Sequence, residues 1–490
     1  MTAQFPTSDT VSYDTKSDTK ARDLPKAVDL AVVGAGPAGL AAATLAASAG
    51  LSVLLLDENA GPGGQVYRAI TTSPLGEGRV LGPDYWSGAA LAREMLASGA
   101  TYVPGATVWS LSRELELGVS VGGQAHLVQA RRVILATGAL ERPMPIPGWT
   151  LPGVMTAGGA QTLLKSSGLV PEGRIVLAGC GPLLWLLAAQ YLEAGVRLEA
   201  ILDTTARENW RAALPEAFGF LTSPYFRKGL ALLRKVRAAV RIISGVTTLA
   251  AEGDESVTAV RYATAGGESG RIELDTLLLH QGVVPNVNLA NAAGIPLVWD
   301  AEQLCFRPDV DAAGTSPVAG LAVAGDGAGI GGALGAAERG RLAALAAIAA
   351  LKPGAPVLAQ RPQVEAALHK ALRGRAFLDR LYRPADGFRR PAPDTIACRC
   401  EEVTARQVTE TVALGCAGPN QLKSFLRTGM GPCQGRMCGL TISELMAEAQ
   451  GVTPAEIGYY RLRAPVKPIS VAELASLPKD ESAMKSVERG

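Results

Sequence analysis

The sequence predicts an α/β chain of two nested dinucleotide-binding folds, one inserted into the other, followed by a small helical unit carrying four cysteines. Three observations predict it. The stretch DLAVVGAGPAGLAAATLAASAGLSVLLLDE at 29–58 reads as strand, glycine turn, helix and second strand. RIVLAGCGPLLWLLAAQYLEAGVRLEAILD at 174–203 repeats that pattern inside the first fold. Four of the seven cysteines then fall in two short pieces, CRC at 398–400 and GMGPCQGRMCG at 429–439.

The 490 residues suffice for about three domains. A content of 48% hydrophobic and 19% charged residues fills large cores. A net charge of +2 and only 5% aromatic residues leave no footprint for nucleic acid. The longest apolar run, LLWLLAAQYL at 183–192, is too short for a membrane span. The opening MTAQFPTSDTVSYDTKSDTK is polar, lacks the apolar core of a signal peptide and reads as a disordered tail over 1–26. A cytoplasmic location follows, where cysteines stay reduced and a metal site is favoured over a disulfide.

In the first pattern Gly34 permits the tight turn and Gly36 lets a pyrophosphate approach the backbone. Gly39 allows helix to pack closely on strand, with Pro37 and Ala38 opening the helix. The helix N-terminus favours phosphate charge. Asp57 and Glu58 end the second strand, where an acid can accept from ribose hydroxyls. Three further pieces resemble motifs of two-dinucleotide-domain flavoproteins. They are GPGGQVYR at 61–68 with Gly64 and Gln65, RRVILATGALERP at 131–143 with Ala136, Thr137 and Gly138, and GLAVAGDGAG at 320–329 with Gly325 and Asp326. Their order and spacing imply FAD, with Asp326 at its ribityl–phosphate part, and Val108 is counted with the set.

The second pattern keeps Gly179 and Gly181, but Leu184 stands at the third glycine position, where it forces helix and strand apart or tilts them. Asp203 lies one residue beyond the place matching Asp57. The inserted domain is therefore expected to keep the fold of a nicotinamide site without binding NAD(P). Paired redox thiols are missing from both nucleotide folds, so disulfide reduction is not expected. Cys180 and Cys305 read as buried small residues, Cys416 as structural, and His280 as a satisfied structural histidine. No substrate acid or base stands out, and the catalytic residues are unknown at this stage.

After Leu351 the composition shifts. Residues 361–399 hold nine Lys/Arg against four Asp/Glu, a basic connector that is either a solvated arm or a docking surface. Thr404 and Gln407 then form a capping box that starts a helix with Val408 and Val412 on its apolar face. Further helices are expected around 419–427 and 441–449. The cysteines run Cys398-x-Cys400, then Cys433-x4-Cys438. One pair is too tight and the other too wide for zinc knuckles. Four thiolates can instead ligate the two irons of a [2Fe–2S] cluster; zinc and free thiols stay open as alternatives. Arg399, Arg427 and Arg436 would offset the cluster's charge.

The segment CRCEEVTARQVTETVALGC…LKSFLRTGMGPCQGRMCG closely resembles the bacterioferritin-associated-ferredoxin-like [2Fe–2S] domain. With LLLHQGVVPN and GDGAGIGGALGAAERG, the chain from 27 to 455 resembles the α (A) subunits of bacterial flavin-dependent opine dehydrogenases. Subunits of hydrogen cyanide synthase, hydroxyproline dehydrogenase and heteromeric sarcosine oxidase are related. The resemblance implies an amino-acid-oxidase-like β subunit that takes a hydride from a C–N bond, with room for an FMN between subunits and for a small third subunit. Electrons would pass through this chain to a quinone or other acceptor. Two other classes remain: a stand-alone NAD(P)H-dependent reductase, and a non-catalytic assembly subunit with structural nucleotide and zinc sites. The expected boundaries are an FAD domain at 27–155 and 295–352, an inserted domain at 156–294, a basic linker at 353–392, the cysteine domain at 393–455 and a C-terminal tail at 456–490.

Overall fold

The computed structural model describes residues 24–78 and 80–477; most of the expected N-terminal tail lies outside them. The strand Ala27–Val33 is the centre of the first sheet, and Leu30, Ala31 and Val32 are wholly buried. Such a run, apolar on both faces, suits a parallel strand covered on both sides. It pairs in parallel with Val53–Asp57 on one side and Gln124–Leu135 on the other, and Thr101–Pro104 extends the first edge. Gln124–Leu135 has two roles. Its first half pairs antiparallel with Glu116–Val121, and Val133–Leu135 pair in parallel with Leu321–Val323.

The helix Pro37–Ser48 lies on this sheet. A Cβ on Gly39 would fall 1.7 Å from the Gly34 carbonyl oxygen, and one on Gly340 would fall 2.1 Å from that of Ala38. The two glycines thus let the first helix touch the strand turn on one side and the long helix Gly332–Leu351 on the other.

The inserted domain holds a five-stranded parallel sheet in the order Ile242–Ser244, Leu198–Asp203, Ile175–Cys180, Thr276–Gln281, Val154–Thr156. An antiparallel three-stranded sheet, Val246–Glu252, Ala259–Thr264 and Ser269–Glu273, packs beside it. The chain crosses between the nested folds through Ala139–Glu141 and Val283–Pro285, which pair antiparallel. Leu184 is accommodated by complete burial among Trp185, Leu187 and Leu278.

The expected basic connector is a packed helical segment rather than a solvated arm. Helices Arg361–Leu372, Arg375–Leu381 and Asp386–Arg389 bury Val364, Phe377, Leu381 and Phe388. Several of its arginines are matched locally, Arg361 by Glu365, Arg375 by Asp379 and Arg389 by Asp386. Composition alone hid the sparse apolar positions that anchor these helices.

The last unit contains helices Ala405–Ala413, Pro419–Leu426 and Gly439–Gln450 around Val408, Leu422, Ile442 and Met446. The capping box is present: Thr404 Oγ1 accepts the Gln407 N–H and Gln407 Oε1 accepts the Thr404 N–H. The stretch expected as a C-terminal tail packs back on the molecule. Tyr460 and Leu462 are buried in the cysteine core, the Leu462 N–H donates to Asn291 Oδ1 at 2.9 Å, and the Val466 N–H donates to the Trp109 carbonyl at 2.9 Å. Among the described residues no helix is long and apolar enough to cross a membrane.

Candidate functional site

A cavity of about 1740 Å³ runs from the first glycine turn into the inserted domain. Of the residues expected at FAD, it brings together Gly34, Gly36, Pro37, Ala38, Asp57, Glu58, Gly64, Gln65, Val108, Ala136, Thr137, Gly138, Gly325 and Asp326. Gly39 is the exception, because it faces the strand turn. The Asp57 carboxylate is buried and accepts the Ala35 N–H at 2.5 Å and the Asn59 N–H at 2.7 Å, so it fixes the turn on which a pyrophosphate would rest. Glu58 is more exposed and accepts from Lys467 Nζ at 2.5 Å. Asp326 accepts the Gly331 and Gly332 N–H groups at 2.8 and 3.0 Å, closing the start of the long helix. A Cβ on Gly64 would lie 2.8 Å from the Gly36 Cα, so the two turns meet through bare backbone. These features fit a dinucleotide lying along the cleft.

Lys165 was not singled out in the sequence. It is 4% exposed and lines the same cavity. Its ammonium donates to the Gln65 and Val66 carbonyls at 3.2 and 3.0 Å and to Gln161 Oε1 at 2.8 Å, holding the Gly-Gly-Gln turn from behind. Burial, with Arg68 adding repulsion, lowers it to about 7. His280 faces Glu141, with Nδ1 2.5 Å from Oε1, while the other oxygen of Glu141 accepts the Gly158 N–H at 2.8 Å. The structural reading of His280 thus has its partner.

The second glycine turn is partly covered by the chain itself, while Pro182 and Leu183 just beyond it line the large cavity. The Cys180 thiol has two acceptors within reach of its one proton, Gln281 Oε1 at 3.2 Å and the Tyr382 carbonyl at 3.5 Å. Asn209 Nδ2 donates to the Leu381 and Arg383 carbonyls at 3.1 and 2.8 Å, fixing that cover in place. Burial pushes the Cys180 and Cys305 thiols up to about 12, which makes both inert.

The four late cysteines meet as two pairs, each taking one cysteine from each motif: Cys398 with Cys438, and Cys400 with Cys433. The Cys438 thiol and the backbone N–H groups of Glu401, Gly429 and Cys400 lower Cys398 to about 6. The hydrogen bond to Cys398 and burial hold Cys438 well above its ordinary value. Backbone N–H groups aimed at a sulfur stabilise a thiolate, as a sulfur-ligated group requires. Gly431 packs against Cys400, and Gly429 and Gly435 pack against the Tyr460 ring, whose hydroxyl lies 4.0 Å from Cys438 Sγ. Among the described residues, no three or more His, Cys, Asp or Glu side chains are arranged as a ready metal site.

The cysteine loop borders the large cavity. Arg436, between Cys433 and Cys438, lines it, and the Gln434 carbonyl accepts from Asn288 Nδ2, another lining residue, at 2.8 Å.

Residues 28–350 match the pyridine nucleotide-disulphide oxidoreductase family, and residues 396–477 match the sarcosine oxidase A3 domain. Among the opine oxidase A subunits, that of Agrobacterium tumefaciens (strain Ach5) is 50% identical over 479 residues, 95% of each chain. The HcnB subunit of hydrogen cyanide synthase from Pseudomonas aeruginosa is 32% identical, over 91% of this chain and 98% of that one. The fold is also that of L-proline dehydrogenase from P. horikoshii, with a TM-score of 0.67 at 20% identity, over 91% of this chain and 79% of that one. The family indicates FAD as the nucleotide of the first cleft. The protein is an oxidoreductase, a flavin-dependent subunit of the heteromeric oxidase type. It belongs to the pyridine nucleotide-disulphide oxidoreductase family and, within it, to the opine oxidase A subunits.

Proposed function

We propose that this chain is the FAD- and iron–sulfur-containing electron-transfer subunit of a heteromeric opine or amino-acid dehydrogenase acting on secondary amines. An amino-acid-oxidase-like β subunit oxidises the C–N bond, and this chain relays the electrons to a quinone or other acceptor in the cytoplasm. The observation that carries this is Arg436, which sits between two of the four cysteines and lines the cleft of the FAD motifs. One loop therefore touches both proposed redox sites.

FAD would be held by the Gly34–Gly36 turn, the Gly64–Gln65 turn and Asp326, with Asp57 keeping the first turn in shape. Bound there, FAD would supply two-electron acceptance and release of those electrons in one- or two-electron steps. Cys398, Cys400, Cys433 and Cys438 would hold a [2Fe–2S] cluster, which supplies one-electron transfer. The chain's own residues screen these sites. Tyr460 closes the inner side of the cysteine cluster, and Arg427 and Arg436 bring positive charge to its loop. The Arg427 charge is shared with Glu401 at 3.1 Å. Leu184 at the third glycine position and the buried Cys180 support a reading in which the inserted domain has no nicotinamide or thiol role.

The test is co-expression with the candidate β subunit, followed by anaerobic mixing with an opine and, separately, with NADH. Bleaching of this chain's flavin by the opine but not by NADH is expected. Rapid bleaching by NADH in the isolated chain would replace the proposal with a stand-alone reductase.

A further inference from the structure

We propose that the arm of the large cavity reaching into the inserted domain is a binding site for an uncharged quinone, which meets the FAD cleft from that side. This rests on the relay function proposed above and adds the place where the acceptor binds.

A single small-molecule site occupies roughly 300–1,000 Å³, and this cavity holds about 1740 Å³. The FAD motifs account for one end. The other end is lined by Trp185, Leu186, Leu214, Phe226, Leu230 and Leu233, from helices Pro182–Glu193 and Pro224–Ala239 and the turn before them. Its rim leaves Trp210 at 53%, Leu214 at 64% and Leu221 at 54% exposure. Large apolar side chains grouped at the mouth of a cavity mark a ligand or contact site. Here they line a cavity continuous with the flavin cleft, which suits a ligand that exchanges electrons there.

The charges disfavour a phosphate-bearing ligand in the arm, where most lining cations have an acid beside them and Arg68, near the Gly64–Gln65 turn, keeps a buried nitrogen without a partner among the described residues. At the rim Lys228 is matched by Asp84 and Lys235 by Glu193, and deeper in, Asp203 faces Arg237. The three donor bonds of Lys165 are spent on Gln65, Val66 and Gln161. Leu381–Arg383 packs against Cys180 of the second glycine turn and is held by Asn209, which narrows the place where a pyrophosphate would rest. What remains is an apolar, aromatic-walled slot that favours a flat uncharged ring stacked on Trp185 or Phe226. An uncharged apolar ring able to take electrons from a flavin is a quinone. With FAD bound as the anionic reduced form, FADH−, the quinone would take two electrons and one proton from it and a second proton from solvent, giving quinol and oxidised FAD.

The FAD-loaded protein, purified with its partner subunit, is titrated with a short-tailed ubiquinone analogue by calorimetry. Two variants are compared, Leu230→Glu at the partly exposed wall and Leu233→Trp to fill the slot, each checked for unchanged FAD content and melting temperature. Binding to the wild type, weakened about tenfold or more in both variants, is the expected result. Equal affinity in wild type and variants would place the quinone elsewhere, overturning this site while leaving the relay function standing. No binding, and no quinol on mixing with pre-reduced protein, would overturn both the site and the quinone acceptor. Displacement of the analogue by NADH would overturn the site in favour of a nicotinamide.

Discussion

His280 Nδ1 lies 2.5 Å from Glu141 Oε1, and the pair joins the outgoing crossing strand to the core of the inserted sheet. Glu141 ends the outgoing crossing strand, and His280 lies in the last core strand before the return. Glu141 also accepts the Gly158 N–H at the start of helix Ala157–Ser167, so one carboxylate holds three elements. His280→Phe leaves that half-buried carboxylate without its ring partner. A loss of about 1–3 kcal/mol is expected, read from denaturant unfolding followed by flavin release, with Cys305→Ala as a core control.

Asp57 and Glu58 stand side by side but do different things. Asp57 holds the glycine turn through Ala35 and Asn59, whereas Glu58 reaches out to Lys467. Asp57→Ala is expected to weaken FAD binding by about tenfold to a hundredfold, the worth of hydrogen bonds to a charged group. Glu58→Gln is expected to change it by no more than about threefold, roughly an exposed ion pair's worth. The FAD-to-protein ratio after dialysis separates the two.

Lys165 gives the protein a pH dependence with a defined sign. Burial holds its folded-state value near 7, below the ordinary 10.5 of an unfolded lysine. Between those values the unfolded chain binds more protons than the folded one, so this group's contribution to stability rises as pH rises through that window. Below about 7 both states are protonated and the burial cost is felt in full. Melting temperatures of wild type and Lys165→Met, measured at pH 6.5 and pH 9 (conditions of roughly full and reduced cost), should show the wild type gaining on the variant at the higher pH.

Gly431 has no room for a side chain: a Cβ there would fall 2.4 Å from the Cys400 Cβ. Gly431→Ala must push Cys400 away from Cys433. Iron content per chain is expected to fall by more than half, roughly what loss of one thiolate ligand does to a four-thiolate centre. Gly418→Ala in the same unit, where the backbone is extended and a Cβ would meet only the Ile457 carbonyl oxygen at 3.8 Å, should keep the iron.

Much of this architecture is legible locally. The turn at Gly34–Gly39 and the cap at Thr404–Gln407 depend on residues a few positions apart, so spacing alone exposes them. Relationships between distant segments carry no such mark. Nothing around Tyr460 shows that it seals the cysteine site, and nothing in Leu381–Arg383 shows that it packs against a turn two hundred residues earlier. Arg436 was noted for its charge, but its place at the cavity depends on how the cysteine unit docks. The meeting of Cys398 with Cys438 likewise follows from the packing of two distant segments.

The most direct test of the relay is electron paramagnetic resonance on the complex, frozen after anaerobic addition of an opine, with iron and acid-labile sulfide measured on the same sample. The account predicts a reduced [2Fe–2S] signal with equal iron and sulfide, lost in Cys433→Ser. Zinc in place of iron, or a β-subunit flavin that bleaches while no signal appears, would contradict it.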